Sequence, residues 1–419
     1  MANSYITPQM ITRRFLSIFR NSNPFLMAVD RQMEDQFGNA SVGGQKPGAT
    51  IRIRQPVDYA LRTGNIAQVQ STNDQSNVSL TVAKQIGVDM AFSQPDLTLN
   101  IVDFSERYIE PAVNTIVGGI ALDIISGSEA IPQMVHSVDG SNNTITPTLT
   151  TWTQAGALLD NNSAPRGTKR NAILDPVTMA RTVGAFSGLF NSVSKIGRQY
   201  NTSMIGEGVL GMDWMQDQTV IKHVTGSYVT APTVNGANQT GTILNVSATA
   251  GTINAGDIFT IAGVFQVNRV TKVSTGQLRQ FAVGGVPGTT YAAGTTSLPI
   301  YPPLNPPVVV AGLSGTAYQT VTASPANGAT VTFICNSGET YRKNFIFLKE
   351  AVTLAVVPLE IPASGKGVIS SHRETYDNIS VSMVTFYDGV NGQEITRLDL
   401  LYGYVWQRPE FAVVVADAL

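Results

Sequence analysis

At 419 residues the chain is long enough for two or three domains with ample core, and its formal net charge of −2 points to neither an acidic nor a basic partner. Only 13 % of the residues are charged, against roughly 25 % in an ordinary soluble domain, so Ser, Thr, Asn and Gln carry the polar surface. A single cysteine, Cys335, excludes an intrachain disulfide and a thiolate metal cluster.

Uncharged polar groups cost less to desolvate than ions, so such a surface suits extensive contact with other protein. The lone cysteine fits a reducing cytoplasm, the N-terminus lacks a signal-peptide pattern, and no uninterrupted apolar run approaches the ~18–20 residues of a membrane span. The expectation is a soluble cytoplasmic product.

Thr7-Pro8 opens a short amphipathic helix, with proline at the first helical position. Ile11, Phe15, Leu16, Ile18 and Phe19 form its apolar face, and Arg13, Arg14 and Arg20 its charge. Asp30, Glu34 and Asp35 follow too closely for an organelle presequence, so the segment reads as a docking arm. Next comes a hairpin with long arms. Apolar residues occupy odd positions from Ile51 to Leu61 and even positions from Val78 to Phe92. Strict alternation predicts strands with one buried face. The polar stretch 62–77 between them predicts an extension that packs on solvent or on a neighbour.

Residues 103–126 then carry apolar pairs every four positions: Tyr108/Ile109, Ala112/Val113, Ile116/Val117, Ile120/Ala121 and Ile124/Ile125. That spacing draws a broad stripe down one side of a long helix. Asp103 with Glu106 supplies a start signal, Pro111 predicts a kink about two turns in, and Gly118-Gly119 predicts close approach of another backbone. After this spine the pattern gives a short helix near 152–159, a strand at 172–174 and a weak helix at 177–189.

From about Thr219 to Asn336 charge thins out, and short β-branched runs alternate with turn signals such as Asn254-Ala-Gly-Asp257 and Ser274-Thr-Gly276. This predicts an all-β barrel or sandwich. Mixed α/β texture resumes at Tyr341 with Phe345–Val357 and closes with Val381–Tyr387 and Asp399–Val415, so the β region is an insertion into one host domain.

Catalytic chemistry finds no foothold. His136, His223 and His372 lie far apart outside any metal-binding spacing, and Cys335 sits in an apolar strand pattern. Gly206-Glu-Gly208-Val-Leu-Gly211 matches G-x-G-x-x-G but lacks a preceding strand and a later acidic residue, so it reads as a glycine-rich loop. No basic tail is present to release counterions from phosphate.

Several stretches carry a resemblance. They are the run from Gly251 to Asn268 (with Gly-Asp-Ile-Phe-Thr-Ile-Ala-Gly-Val at its centre), Ser274 to Val283, Arg397-Leu-Asp-Leu-Leu-Tyr-Gly403 and Arg408-Pro-Glu410. Together the chain resembles the major capsid (coat) proteins of short-tailed bacteriophages whose coat carries an inserted β-domain. The resemblance implies an α+β chain with the tailed-phage capsid fold: N-terminal arm, extended β-hairpin loop, spine helix, peripheral and axial domains, plus an inserted all-β barrel domain. The corresponding spans are arm 1–37, hairpin loop and flanking strands 38–100, spine 101–130, first part of the axial domain 131–218, insertion 219–336, and axial/peripheral remainder 337–419.

It also implies self-assembly into hexamers and pentamers of an icosahedral shell. The expected partners are a scaffolding protein and a portal protein, with double-stranded DNA enclosed without sequence-specific binding. Assembly is expected in the host bacterial cytoplasm, and residence in the virion. No enzymatic activity, cofactor, metal or membrane partner is expected. The residues assigned to contact with other subunits or the scaffold are Arg13, Arg14, Arg20, Arg52, Arg54 and Arg62. A phage tail or adhesin protein with an immunoglobulin-like module, and an encapsulin-like compartment shell, fit parts of the same pattern.

Overall fold

The computed structural model describes residues 8–31, 50–62, 64–67, 69, 77–93, 108–186, 205–247, 250–292, 297–308, 316–362, 367–376 and 379–419. The chain divides into two compact units. The first takes Met1–Ile53, Asn77–Ile124 and Thr353–Val405; the second takes Arg54–Ser76, Ile125–Val352 and Trp406–Leu419.

The first unit is built on a sheet in the order Val352–Val357, Gln393–Trp406, Ile379–Asp388, Val368–Tyr376, with Lys84–Ser93 also paired to Gln393–Trp406. The N-terminal helix Pro8–Ser22 lays its apolar face, Ile11, Phe15, Leu16 and Phe19, on the last two of these strands. The expected docking arm is therefore packed on its own chain over its described length. The burial of four large apolar side chains stabilises that position by roughly 1.5–3 kcal/mol each.

The hairpin expectation holds in phase along the second arm but not at the end of the first, where odd-numbered Tyr59 and Leu61 are exposed and Ala60 is buried, and it fails in continuity. Thr50–Arg54 and Asn77–Thr81 pair as a two-stranded ribbon, but Pro56 removes a ladder donor and the strand ends before it. The second arm breaks at Val82-Ala83, and its continuation Lys84–Ser93 joins the larger sheet, with even-numbered side chains turned inward. Ile53, Leu80, Val82 and Ala355 close a small core beside Leu401 and Val405. At Gly403, where the Leu-Tyr-Gly motif ends, an added Cβ would collide with the carbonyl oxygen of Thr81. Apart from 62, 64–67, 69 and 77, the predicted hairpin tip lies outside the described residues.

The spine helix spans Glu110–Ser126, and its predicted stripe is buried from Ile109 to Ile125. Pro111 falls in the first turn of this helix, just after a π-helical turn at Tyr108-Ile109. The cap at Asp103/Glu106, and the turns on which a kink two turns in depends, lie outside the described residues. Two expectations need correction. A Cβ at Gly118 or Gly119 would meet nothing within 4 Å, so no backbone among the described residues of this chain approaches there. The helix with its continuation to Ala130 is also long and apolar enough to cross a membrane, at mean hydropathy 1.2, although half of that window is buried in the fold. Glu110, Asp123 and Glu129 break the run into stretches that look shorter than they are.

The second unit holds a seven-stranded mixed sheet. Its order is Thr144–Ile145, Met134–Val138, Ala412–Ala418, Thr340–Leu348, Arg170–Leu174, Met212–Gln216, with Lys222–Val224 also paired to Thr340–Leu348. Its central strands are continuous apolar runs: Phe345 to Leu348 and Ala412 to Ala416 are buried without alternation, as strands covered on both faces must be. Helix Leu149–Asn161, capped by Thr148, packs on Ala412–Ala418. Trp152 from that helix meets Trp214 edge-on at 4.9 Å.

The β region forms an antiparallel sheet in the order Val331–Phe333, Ile258–Val267, Ser274–Val283, Ser297–Leu304, Gly241–Asn245. Residues 232–235 bridge its two edges. Val331 N donates to Pro232 O (3.0 Å) and Val234 N to Ala329 O (2.8 Å) on one side; Ser247 N donates to Thr233 O (2.7 Å) and Asn235 N to Asn245 O (2.9 Å) on the other. Among the described residues the sheet is thus closed into a barrel. Phe259, Ile261, Phe281, Val283, Leu298 and Ile300 fill it.

Two predictions follow from this packing. Since Lys222–Val224 belongs to the seven-stranded sheet, a fragment cut at 226–338, rather than 219–336, should fold alone and give a dispersed proton–nitrogen NMR spectrum; a collapsed spectrum would show that the barrel needs its host. Gly119→Ala should raise monomer stability by about 1 kcal/mol in urea unfolding, because helix propensity is gained and nothing is displaced; a loss would place a close neighbour there.

Candidate functional site

Two buried polar clusters fasten the barrel to the seven-stranded sheet of the same unit. The first surrounds the neck, where the chain enters and leaves the barrel. Thr225 N donates to Glu339 O at 2.9 Å and Gly338 N to Gly226 O at 3.1 Å, so the two crossings are stitched by backbone. Gly226 has to be glycine, since a Cβ would strike the backbone at Thr252 and Ile253. Thr225 Oγ1 donates to Asn336 O (2.6 Å) and accepts from Glu339 N (2.8 Å).

At the centre lies Asp257, 1 % exposed. One carboxylate oxygen is 2.9 Å from His223 Nε2; the other accepts from Gly226 N (3.0 Å) and Asn254 N (2.8 Å). His223 sits on Lys222–Val224, with its ring 5.4 Å from that of Tyr341. Lys343 Nζ and Glu129 Oε2 are buried nearby without a hydrogen-bond partner. Burial pushes the Lys343 ammonium down to about 8, against the pull of Glu129 and Asp257, and raises the Glu129 carboxyl against the pull of Lys343. Burial also lifts the Cys335 thiol to about 12, which keeps it protonated and unreactive.

The second cluster joins the barrel to the base of the hairpin segment and to the Arg-Pro-Glu turn. Arg269 Nε donates to both oxygens of Asp58 (3.1 and 2.8 Å), and its Nη1 to Glu410 Oε1 (3.2 Å). Burial opposes its charge, but the Asp58 hydrogen bonds outweigh that and hold the guanidinium above its usual value. Tyr301 donates to the other Glu410 oxygen at 2.8 Å. Arg279 is buried and pushed down to about 10. Its Nη1 donates to Asn162 Oδ1 (3.3 Å), which also accepts from Gln266, while Asn162 Nδ2 donates to Glu410 O. Arg408 completes the turn by donating to Gln55 Oε1 at 3.0 Å and lying over the Phe411 ring. These contacts position elements; among the described residues no group of three or more His, Cys, Asp and Glu could hold a metal.

The residues assigned from sequence are not brought together as a group. Arg13 pairs with Glu374 (3.3 Å) and Arg14 with Glu110 (3.2 Å), both as exposed pairs within the first unit. Such pairs are worth roughly 0–1 kcal/mol. Arg20 lies on the same helix, with its side chain outside the described residues. Arg52 and Arg54 are exposed on Thr50–Arg54, and Arg62 Nη1 donates to the carbonyls of Gly64 and Ile66. The glycine-rich loop at Gly206–Gly211 takes positive φ at all three glycines and feeds the strand Met212–Gln216, not a helix. Of the arginines that organise the second unit, Arg408 entered from sequence only within the Arg-Pro-Glu motif, and Arg269 and Arg279 were given no contact.

The Lys343 shift has a definite sign. Between about 8 and 10.5 the unfolded chain binds the proton that the folded chain has lost, so this lysine makes stability rise with pH in that window. The advantage of wild type over Lys343→Met in urea unfolding should therefore grow across it, by up to about 3 kcal/mol. A pH-independent difference would mean that Lys343 is not the titrating group.

A family profile described as "P22 coat protein - gene protein 5" matches residues 9–415. No curated protein matches the chain at a significant level. Among solved structures, one from Mycobacterium phage Che8 is 10 % identical, covering 94 % of this chain and 90 % of that one, at a TM-score of 0.44. The capsid of Ralstonia phage GP4 is 7 % identical over 89 % and 84 %, at 0.42. The CUS-3 coat protein I-domain is 30 % identical over 27 % of this chain and 93 % of that one, at 0.17. The profile match, not these overlaps, carries the identification.

Proposed function

We infer the role of this chain from one premise: it belongs to the P22 coat protein family, whose profile spans residues 9–415. It is a major capsid protein, a structural component of a phage particle and not an enzyme. The finer reading is that copies gather into hexamers and pentamers of an icosahedral procapsid around a scaffolding protein, in the host bacterial cytoplasm. A portal occupies one vertex, and double-stranded DNA is driven in afterwards. Residues 226–338 act in this reading as an inserted domain held to its host at the neck and at the Arg-Pro-Glu turn.

Charge supports the order of events. Packed duplex carries one negative charge per ~1.7 Å, yet each copy of this chain brings a net −2. A coat of that kind does not neutralise its cargo; it is a wall. The exposed Arg13 and Arg14, on a helix whose apolar face is already covered, suit an acidic site on the scaffold. That attraction should weaken as salt screens it.

The test is assembly of nuclease-treated coat with purified scaffold across a salt series, read by negative-stain microscopy. Closed shells should form without nucleic acid, and scaffold binding should fall as salt rises. Shells that appear only when DNA or RNA is supplied would overturn the wall, and salt-independent scaffold binding would remove the arginines from it.

A further inference from the structure

Three Asn-Gly steps occur in the sequence: Asn235-Gly236, Asn327-Gly328 and Asn391-Gly392. Asparagine is thermolabile, and most so before glycine, which has no Cβ to keep its nitrogen from the carboxamide carbon of the preceding residue. All three asparagines are exposed, so exposure does not separate them. Hydrogen bonding does. The first two steps are joined where residues 232–235 close the barrel, and each glycine nitrogen is engaged. Gly236 N donates to Asn327 Oδ1 (2.8 Å) and Gly328 N to Val234 O (2.8 Å), so the Asn327 carboxamide is held as well.

The third step lies in the first unit, on the turn between strands Ile379–Asp388 and Gln393–Trp406, where Asp388 pairs with Gln393. Val390 beside it is 92 % exposed, and a Cβ at Gly392 would meet nothing within 4 Å. Among the described residues no hydrogen bond engages the Gly392 nitrogen. The turn is held instead by Asp388. Its Oδ1 accepts from Val390 N (2.9 Å) and its Oδ2 from Asn391 Nδ2 (2.7 Å). These contacts, the Asn391 side chain foremost, keep the Asp388 carboxyl below its usual range.

We propose that Asn391 is a covalent modification site that deamidates with water as the co-reactant, and that the Asp388 carboxylate is its latch. The Gly392 nitrogen gives its proton to hydroxide and attacks Asn391 Cγ, forming a C–N bond. The Cγ–Nδ2 bond breaks, and Nδ2 takes a proton from water and leaves as ammonia, which regenerates the hydroxide. Water then opens the resulting cyclic imide at either carbonyl. One opening gives an aspartyl residue; the other gives an isoaspartyl residue, whose chain runs through Cγ and lengthens the turn by a backbone carbon. The sum is asparagine and water to a carboxylic acid and ammonia.

The hydrogen bond to Asp388 has to be given up before Nδ2 can leave, so the latch slows the reaction. The product then cannot restore it. A donor facing Asp388 Oδ2 has become an acceptor, and two carboxylates stand where a hydrogen bond stood, each disfavouring the charged form of the other. The turn loses a cap and gains a negative charge. This inference stands apart from the coat-protein reading and holds for the chain in any assembly that leaves the turn accessible.

The test incubates the purified full-length protein across a mildly alkaline pH series. Conversion is read by peptide mass spectrometry, as exchange of NH2 for OH, and by enzymatic methylation of isoaspartyl groups. Asn391 should convert at least roughly tenfold faster than Asn235 or Asn327, equivalent to about 1.4 kcal/mol of local opening at those two. Its rate should rise with hydroxide concentration. Asp388→Ala should speed it by roughly two- to tenfold, the worth of one hydrogen bond. In urea the three rates should converge, because the fold separates them. Asn391 reacting no faster than the other two in the folded protein would overturn the site. A rate order that persists in urea would assign the selectivity to local sequence and overturn the structural argument. An unchanged rate in Asp388→Ala would overturn the latch.

Discussion

The attachment of the barrel depends on one buried carboxylate. A β-barrel inserted into a sheet is joined to it by two strands only, and two strands alone would let it swivel. Asp257 prevents this by accepting from three separate places: His223 on the host sheet, the Gly226 amide at the entry strand and the Asn254 amide within the barrel's own turn. Loss of the carboxylate would leave three buried groups unpaired, at roughly 1–3 kcal/mol each. The same residue therefore closes a local turn and fixes a long-range geometry. It also sits within the Gly-Asp-Ile-Phe-Thr stretch on which the sequence resemblance drew.

The second fastening follows a similar logic at the other end of the sequence. Arg408-Pro-Glu410 is a 3-10 turn (Pro409–Phe411) between two strands, and its side chains and carbonyl receive Gln55, Asn162, Arg269 and Tyr301. Arg408 and Glu410 thus collect contacts from the hairpin base, a helix and the barrel. The place of Arg408-Pro-Glu410 in the fold is explained by this convergence, without any chemistry at its functional groups.

Patterns that depend on neighbouring residues were legible in the sequence, and those that depend on distant partners were not. The stripe from Ile109 to Ile125 is buried as its spacing required, since a helix repeats locally. The even-numbered phase of Val78 to Met90 is likewise correct. The glycine pair Gly118-Gly119 meets no backbone among the described residues of this chain, because such a pair states a permission and not a contact. The segment 232–235 was missed as the closing strand of the barrel because it is short and its ladders run to two separate stretches, 245–247 and 329–331. The contacts of Arg269 and Arg279 escaped because their partners are remote in sequence. Arg269 and Asp58 are 211 positions apart, and Arg279 and Asn162 are 117 apart, so no cluster of charge marks them.

A buried polar junction is an expensive way to hold two elements together. Replacing a buried ion pair by well-packed apolar residues is often neutral or stabilising by about 1–4 kcal/mol. In a chain with only 13 % charged residues, placing Asp257, Lys343, Arg279 and Glu410 in or beside the barrel's attachment spends scarce charge where it stabilises least. What such groups supply is direction, because a hydrogen-bonded carboxylate tolerates one orientation where an apolar contact tolerates many. A shell multiplies any swivel of the barrel by the number of copies, and neighbouring copies meet only if each presents the same face. The constraint on a coat protein is therefore uniformity of shape more than depth of stability, and a few oriented buried charges meet it with little polar surface left for anything but other protein.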